Sequence, residues 1–210
     1  MIKPLYVSMR SCDWRRAASN TQKGEYMLSF GYTPPVDITK VTGKVIGLGS
    51  HRALQSKTDC EGIITHASRS LAEISGFTVD ELIGQPHNIL RHPDMPDTVY
   101  YLMWQEIQAD KEFFGVVKNR CKNGDHYWVL TRVAPIMQGD EKVGYTSARF
   151  TPRAELIPEW EELFEKMREI EGDRNSSDPA RFKPAIEEVN RFVKRHGHSS
   201  LSQLVLSARA

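Results

Sequence analysis

Two stretches of the sequence hold most of the side chains that could do chemistry. Residues 85–96 place two histidines, an arginine and an aspartate among prolines and apolar residues. A solvent loop rarely carries that many apolar side chains, and a core helix rarely carries that polarity, so the pattern predicts a short irregular segment that closes over something. Residues 118–128 predict two strands joined at Asn123-Gly124, a pair typical of a type I′ turn.

Known catalytic motifs are missing from the sequence. It contains no Gly-x-Ser-x-Gly, no Walker loop, no His-Glu-x-x-His and no paired-cysteine motif. His87 and His92 are five residues apart, which is no established metal spacing. Cys12, Cys60 and Cys121 are odd in number and lack metal-type spacing, so we expect reduced packing residues in a cytoplasmic protein. These observations argue against an enzyme.

Composition sets broader limits on the partners. The 210 residues are 40% hydrophobic and 26% charged, which is typical of a soluble globular protein. A formal net charge of +1 gives no support to nucleic-acid binding. No apolar run approaches the ~20 residues of a membrane span, and the N-terminus lacks the apolar core of a signal peptide.

The elements that must position the two stretches follow from periodicity and turn signals. Residues 54–150 predict the order β-β-α-α-α-β-β-β, with Ser68 as a helix cap and Thr78 with Glu81 as a capping box. A third helix is expected over residues 96–109, with Asp94 or Asp97 as its cap. The predicted strands cover residues 54–59, 62–66, 113–121, 126–136 and 142–150.

Both ends of the chain extend beyond this unit. Residues 1–50 predict an arm of unknown role with two short strands, at 26–32 and 44–48. Residues 153–172 predict a helix whose apolar positions have heptad spacing, suited to a helix pair or to packing on the sheet. Residues 173–210 predict further helices. The heptad positions are Leu156, Trp160, Leu163, Met167 and Ile170.

Residues 54–152 resemble the PAS domain, and within it the FAD-binding PAS domain of bacterial aerotaxis receptors. The resemblance is carried by several motifs in order. They are Ile64-Thr-His-Ala67, Ile74-Ser-Gly-Phe77, Glu81-Leu-Ile-Gly-Gln-Pro-His-Asn88, Arg91-His-Pro-Asp-Met-Pro96, Met103-Trp104, Val117-Lys-Asn-Arg120 and Lys122-Asn-Gly-Asp-His-Tyr-Trp128. The resemblance implies an α+β PAS fold: a five-stranded antiparallel sheet with short helices on one face, over residues 51–152.

The resemblance also implies a cofactor and a set of residues that bind it. A bound FAD would place phosphates near the fixed guanidinium fork of Arg91, and Asn119 would reach the edge of the flavin ring. The family usually has tryptophan at position 113, and phenylalanine there keeps ring stacking but lacks the indole N–H. The expected FAD-binding residues are His87, Asn88, Arg91, His92, Asp94, Trp104, Phe113 and Asn119.

The expected function is therefore a cytoplasmic signal-transduction sensor. Its FAD would report redox state or oxygen, as in aerotaxis and chemotaxis, through the helix at 153–172 to a partner such as a chemoreceptor or histidine kinase. A homodimer is expected, formed by the N-terminal arm or the heptad helix. Two alternatives stay open, a haem-based gas sensor with His87 or His92 as axial ligand and a cofactor-free PAS dimerisation module. A small flavin oxidoreductase is a third.

Overall fold

The chain folds around one antiparallel sheet. The computed structural model describes residues 40–49, 53–172 and 178–209. The predicted strand at 26–32 lies outside these residues. The strands are β1 (Leu54–Thr58), β2 (Ile64–Ala67), β3 (Phe113–Arg120), β4 (His126–Gln138) and β5 (Glu141–Phe150). Their order across the sheet is β2-β1-β5-β4-β3, with every neighbouring pair antiparallel. This confirms the predicted five-stranded α+β sheet.

Three short helices connect β2 to β3, and local capping signals start two of them. They are α1 (Arg69–Ser75), α2 (Val79–Leu82) and α3 (Asp97–Gln108). Ser68 accepts a hydrogen bond from the N–H of Leu71 at the start of α1, and Thr78 forms a full capping box with Glu81 at the start of α2. Both predicted caps are confirmed, because each depends only on residues three positions apart.

The start of α3 differs from the prediction, since neither Asp94 nor Asp97 caps it. Pro96 occupies the N-cap position and makes no side-chain hydrogen bond. The N–H groups of Asp97 and Thr98 instead donate to the two carboxylate oxygens of Glu171, at 2.9 and 2.7 Å. The carboxylate of a distant residue satisfies the free N–H groups at the positive end of this helix.

Three helices follow the sheet, and the first and the last of them contact it. They are α4 (Ile157–Glu171), α5 (Phe182–Arg195) and α6 (Leu201–Ser207). The ring of Phe164 in α4 stacks on Trp128 of β4 with centroids 5.9 Å apart, and α6 contacts β3. The heptad positions Trp160, Leu163 and Met167 are buried within this chain. The heptad face therefore packs inside the protein rather than standing free for a second helix.

Two turn and strand details are also corrected. A type I′ turn needs positive φ at both central residues, but of Asn123 and Gly124 only Gly124 has one, at 95°. Asn123 instead accepts a hydrogen bond from the N–H of Asp125 through its side chain. The strand expected at 44–48 is reduced to one bridge between Val45 and His126. Within the described residues, no helix is long and apolar enough to span a membrane.

Candidate functional site

A cavity of about 180 Å³ lies between the sheet and the helices that connect β2 to β3. Its volume is more than about ten times the space one water molecule needs, so it has room for a larger group. Alternate residues of β1, β3, β4 and β5 form its floor, as expected for side chains on one face of a sheet. The floor residues are Ser56, Thr58, Val117, Asn119, Thr131, Val133, Ser147 and Arg149, while the ring of Tyr145 reaches the opposite wall.

Three polar atoms on the floor are buried and lack a hydrogen-bond partner among the described residues. They are Nδ2 of Asn119, Oγ1 of Thr131 and Oγ of Ser147, on three adjacent strands. A buried polar group without a partner costs about 1–3 kcal/mol. Three such atoms together in one cavity indicate a surface built to bind a ligand that supplies the missing hydrogen bonds.

The opposite wall is aromatic and apolar. Trp104 of α3 meets Tyr145 of β5 edge to face, with ring centroids 5.6 Å apart. Tyr100, Met103 and Ile107 extend this wall along α3. An apolar wall facing a polar floor suits a flat ring with hydrogen-bonding edges.

A buried cation completes the floor. The Arg149 guanidinium is 3% exposed, donates to Ser56 Oγ from both terminal nitrogens at 3.2 Å and lies 2.6 Å from Nε2 of His87. Burial, and then the charge of Arg149, lower the pKa of His87 to about 3. His87 is therefore neutral at pH 7, and its Nε2 accepts a hydrogen bond from Arg149.

Arg91 also lines the cavity, but its charge is already paired. Its guanidinium donates to Oδ1 of Asp97 and to the carbonyl oxygen of Met95, and it lies over the Tyr100 ring at 4.2 Å. The other carboxylate oxygen of Asp97 accepts a hydrogen bond of 2.7 Å from Arg181. The guanidinium of Arg91, which the sequence analysis expects to bind phosphate, is thus paired with the carboxylate of Asp97 in this structure.

His92 and Asp94 do not line the cavity. Nζ of Lys118 bridges Asp94 and Glu161 of α4, at 2.8 and 3.1 Å. The carbonyl oxygen of Asp94 also accepts a hydrogen bond from Arg168 of α4. Burial lowers the pKa of His92 to about 4 despite the opposing charge of Asp94. Asp94 thus contacts α4, while the His92 ring lies edge-on to the ring of His126.

The other expected site residues also divide into those that line the cavity and one that does not. Asn88, Trp104 and Asn119 line the cavity together with His87 and Arg91. Phe113 does not, because its ring folds over Gly115 and borders a separate void of about 20 Å³ beside α4.

Two cysteines lie in the described residues. Cys121 is buried, and burial raises its thiol pKa to about 12, as expected for a packing residue. Sγ of Cys60 lies 3.7 Å from the carbonyl oxygen of Lys142.

Burial of His87 predicts a stability loss in acid. Its pKa is 6.5 when free and about 3 when folded, so unfolding takes up a proton between these values. The free energy of unfolding should fall as pH drops below 6.5, by up to ~1.4 kcal/mol per pH unit from His87 alone. Urea unfolding from pH 7 to pH 4.5 measures the slope.

The matched variants isolate the His87 contribution. His87→Gln keeps an acceptor for Arg149 but does not titrate, so the slope should flatten below pH 6.5. His66→Gln, at an exposed position of β2, should retain the wild-type slope. Equal slopes for wild type and His87→Gln would contradict a neutral buried histidine.

Sequence reasoning missed the floor residues on β5 and the tyrosines of the wall. Arg149 and Ser147 lie at the end of the predicted strand 142–150, and nothing nearby in sequence marks them. The sequence signal for these residues is the alternation of side chains along a strand, which puts positions 145, 147 and 149 on one face. That face was not assigned to the cavity, because its register with β1 and β4 is set by pairing far along the chain.

Comparisons with known proteins agree with this geometry. Residues 64–149 match the family model described as the PAS fold. The chain is 40% identical over 127 residues to the aerotaxis receptor of Escherichia coli K12, covering 60% of this chain and 25% of the receptor. It is 26% identical over 103 residues to a nitrogen fixation regulatory protein of Klebsiella pneumoniae, covering 43% of this chain and 21% of that protein.

The chain also aligns in part with a solved structure. The LOV domain of a blue-light activated histidine kinase from Erythrobacter litoralis has a TM-score of 0.42 and 15% identity, covering 47% of this chain and 93% of that domain. The chain spans about a quarter or less of the two curated relatives. By the family match and the observed sheet, this part of the chain has the PAS fold, and the chain is similar in sequence to the aerotaxis receptor.

Proposed function

We propose that this chain is a PAS sensor module that binds the ring of FAD in the cavity and reports redox state or oxygen to a partner protein. The observation that carries the proposal is the polar floor of Asn119, Thr131 and Ser147 beneath the aromatic wall of Trp104 and Tyr145. A bound flavin supplies a ring whose charge and protonation change on reduction.

The chain's residues have distinct tasks in this proposal. Asn119 donates a hydrogen bond to the ring edge from Nδ2, for which the described residues supply no partner by hydrogen-bond geometry. Trp104 and Tyr145 exclude water from the ring face. Asn88 and Arg91 stand at the helical side of the cavity, where the remainder of the dinucleotide would extend.

Flavin has more support here than haem. A haem ligand needs a free ring nitrogen facing the cavity. Nε2 of His87 already contacts Ser56 and the cation of Arg149, and His92 lies outside the cavity lining. A cofactor-free dimerisation module would have no evident use for three unsatisfied polar atoms in one cavity.

The route to the output runs through the segment from Arg91 to Asp97. Arg91 borders the cavity and binds Asp97, which binds Arg181 just before α5. The N–H of Asp97 binds Glu171, the last residue of α4. We place the signal output at α4 and α5 because these contacts join both helices to the cavity wall.

The partner remains a proposal based on the relatives. A chemoreceptor or histidine kinase fits a sensor without an assigned catalytic site, and a cytoplasmic location stays a prediction. With the heptad face buried, the N-terminal arm is the better candidate for a homodimer contact. Residues 1–39 of that arm lie outside the described residues.

Hydrogen exchange of the FAD-loaded protein tests the output route. Amide exchange in residues 157–171 should differ severalfold between the oxidised and the dithionite-reduced protein. Glu171→Gln, which weakens the cap on α3, should reduce that difference, while Glu169→Gln on the exposed surface of α4 should preserve it. Identical exchange in both redox states, with flavin bound, would contradict an output through α4.

A further inference from the structure

Arg149 is a buried cation that no carboxylate of the described residues contacts. Among the ion pairs of those residues, Arg91 and Arg181 share Asp97, and Lys118 bridges Asp94 and Glu161. Among the described residues, Arg149 binds only a hydroxyl and a neutral imidazole, both of which accept without neutralising its charge.

The buried guanidinium of Arg149 contacts only neutral groups among the described residues. Burial lowers the pKa of Arg149. A guanidinium is charged throughout the physiological pH range. Keeping it buried without a counter-charge costs stability, which an anionic group in the same cavity would restore.

The position of this charge is fixed by the sheet. Arg149 lies on β5, paired with Leu54 of β1 and Thr131 of β4, and it lines the cavity with Ser56 and His87. Hydrogen bonds from Arg149 to Ser56 and His87 hold the fork in one orientation. A fixed cation beside a bound ring favours whichever redox state carries more negative charge.

We infer that Arg149 is the charge-selecting residue of the cavity, which favours a bound group that is anionic or gains negative charge on reduction. The inference rests on the proposed flavin function and names the residue that sets the redox response. It differs from the sequence-based expectation, in which Arg91 was the anion-binding arginine. Arg91 is paired with Asp97, whereas Arg149 has only neutral partners.

The test is the midpoint potential of bound FAD in Arg149 variants, measured by equilibrium reduction against reference dyes. Arg149→Gln removes the charge but keeps polar contact with Ser56 and His87. We expect the affinity for reduced relative to oxidised FAD to fall at least about 30-fold, as for loss of a charge-assisted hydrogen bond. For a two-electron couple this ratio lowers the potential by about 44 mV.

Two further variants separate charge from shape. Arg149→Lys keeps the charge and should retain most of the wild-type potential, while Arg149→Met is a second neutral variant that should follow Arg149→Gln. Arg132→Gln removes a charge from an exposed ion pair of β4 and should leave the potential unchanged. If only the charged variants bind FAD, the inference also stands, because charge is what distinguishes them.

The outcomes that contradict each claim are distinct. Wild-type potential in both neutral variants, with FAD bound, would overturn the role of Arg149 and leave the flavin function intact. Absence of FAD binding by the wild-type protein would overturn the proposed function, and this inference with it.

Discussion

Replacing Asp97 with asparagine is expected to lower the free energy of unfolding by about 3–5 kcal/mol. Asp97 is 2% exposed, and its carboxylate pairs with Arg91 on one oxygen and with Arg181 on the other. Neutralising it leaves two poorly exposed guanidinium groups without their shared counter-charge. Urea unfolding at pH 7 measures the loss.

The matched control for Asp97 is Glu112→Gln. Glu112 pairs with Arg132 on the surface, where both side chains are more than 40% exposed. Its loss should cost less than about 1 kcal/mol. The double variant Asp97→Asn with Arg181→Met should be less destabilised than the sum of the two single changes, since one stranded charge is gone. Equal losses for Asp97→Asn and Glu112→Gln would contradict a buried ionic junction.

Replacing Ser147 with phenylalanine is expected to weaken FAD binding at least about 100-fold, or ~2.7 kcal/mol. Ser147 lies on the cavity floor, so a benzyl group there would occupy the space of the flavin ring. The protein should remain folded, because the cavity has room and the change removes a buried hydroxyl that has no partner. Titration with FAD, followed by flavin fluorescence, measures affinity.

Gln55→Phe is the control for the Ser147 variant. Gln55 is exposed on β1, so it carries the same aromatic side chain on the same sheet but outside the cavity. Its affinity for FAD should equal that of the wild-type protein, and circular dichroism should be native in both variants. Unchanged affinity in folded Ser147→Phe would show that the ligand binds elsewhere.

Predictions from the sequence succeeded where the interacting residues are close together along the chain. The caps at Ser68 and Thr78 were predictable because their partners lie three residues away. The cap of α3 was not, because its acceptor Glu171 lies more than 70 residues further along the chain. Tertiary packing brings that carboxylate to the helix start, and the adjacent Asp97 is engaged by arginines instead.

The candidate site shows the same contrast between features set by nearby residues and features set by residues far along the chain. Arg91 lines the cavity, but the sequence could not reveal that Asp94 contacts α4 and that His92 lies outside the cavity lining. Residue type marked Arg91 as an anion-binding group, whereas pairing with Asp97 and the burial of Arg149 depend on the folded chain. Motifs thus locate this site, and strand register decides which residues form its floor.

The absorption spectrum of the purified protein, before and after dithionite, tests the central claim most directly. With FAD supplied and excess cofactor removed, the protein should retain the two visible bands of oxidised flavin, and reduction should bleach them. Ser147→Phe should be colourless after the same treatment. A Soret band, or a wild-type protein that stays colourless after FAD has been supplied, would contradict a flavin in this cavity.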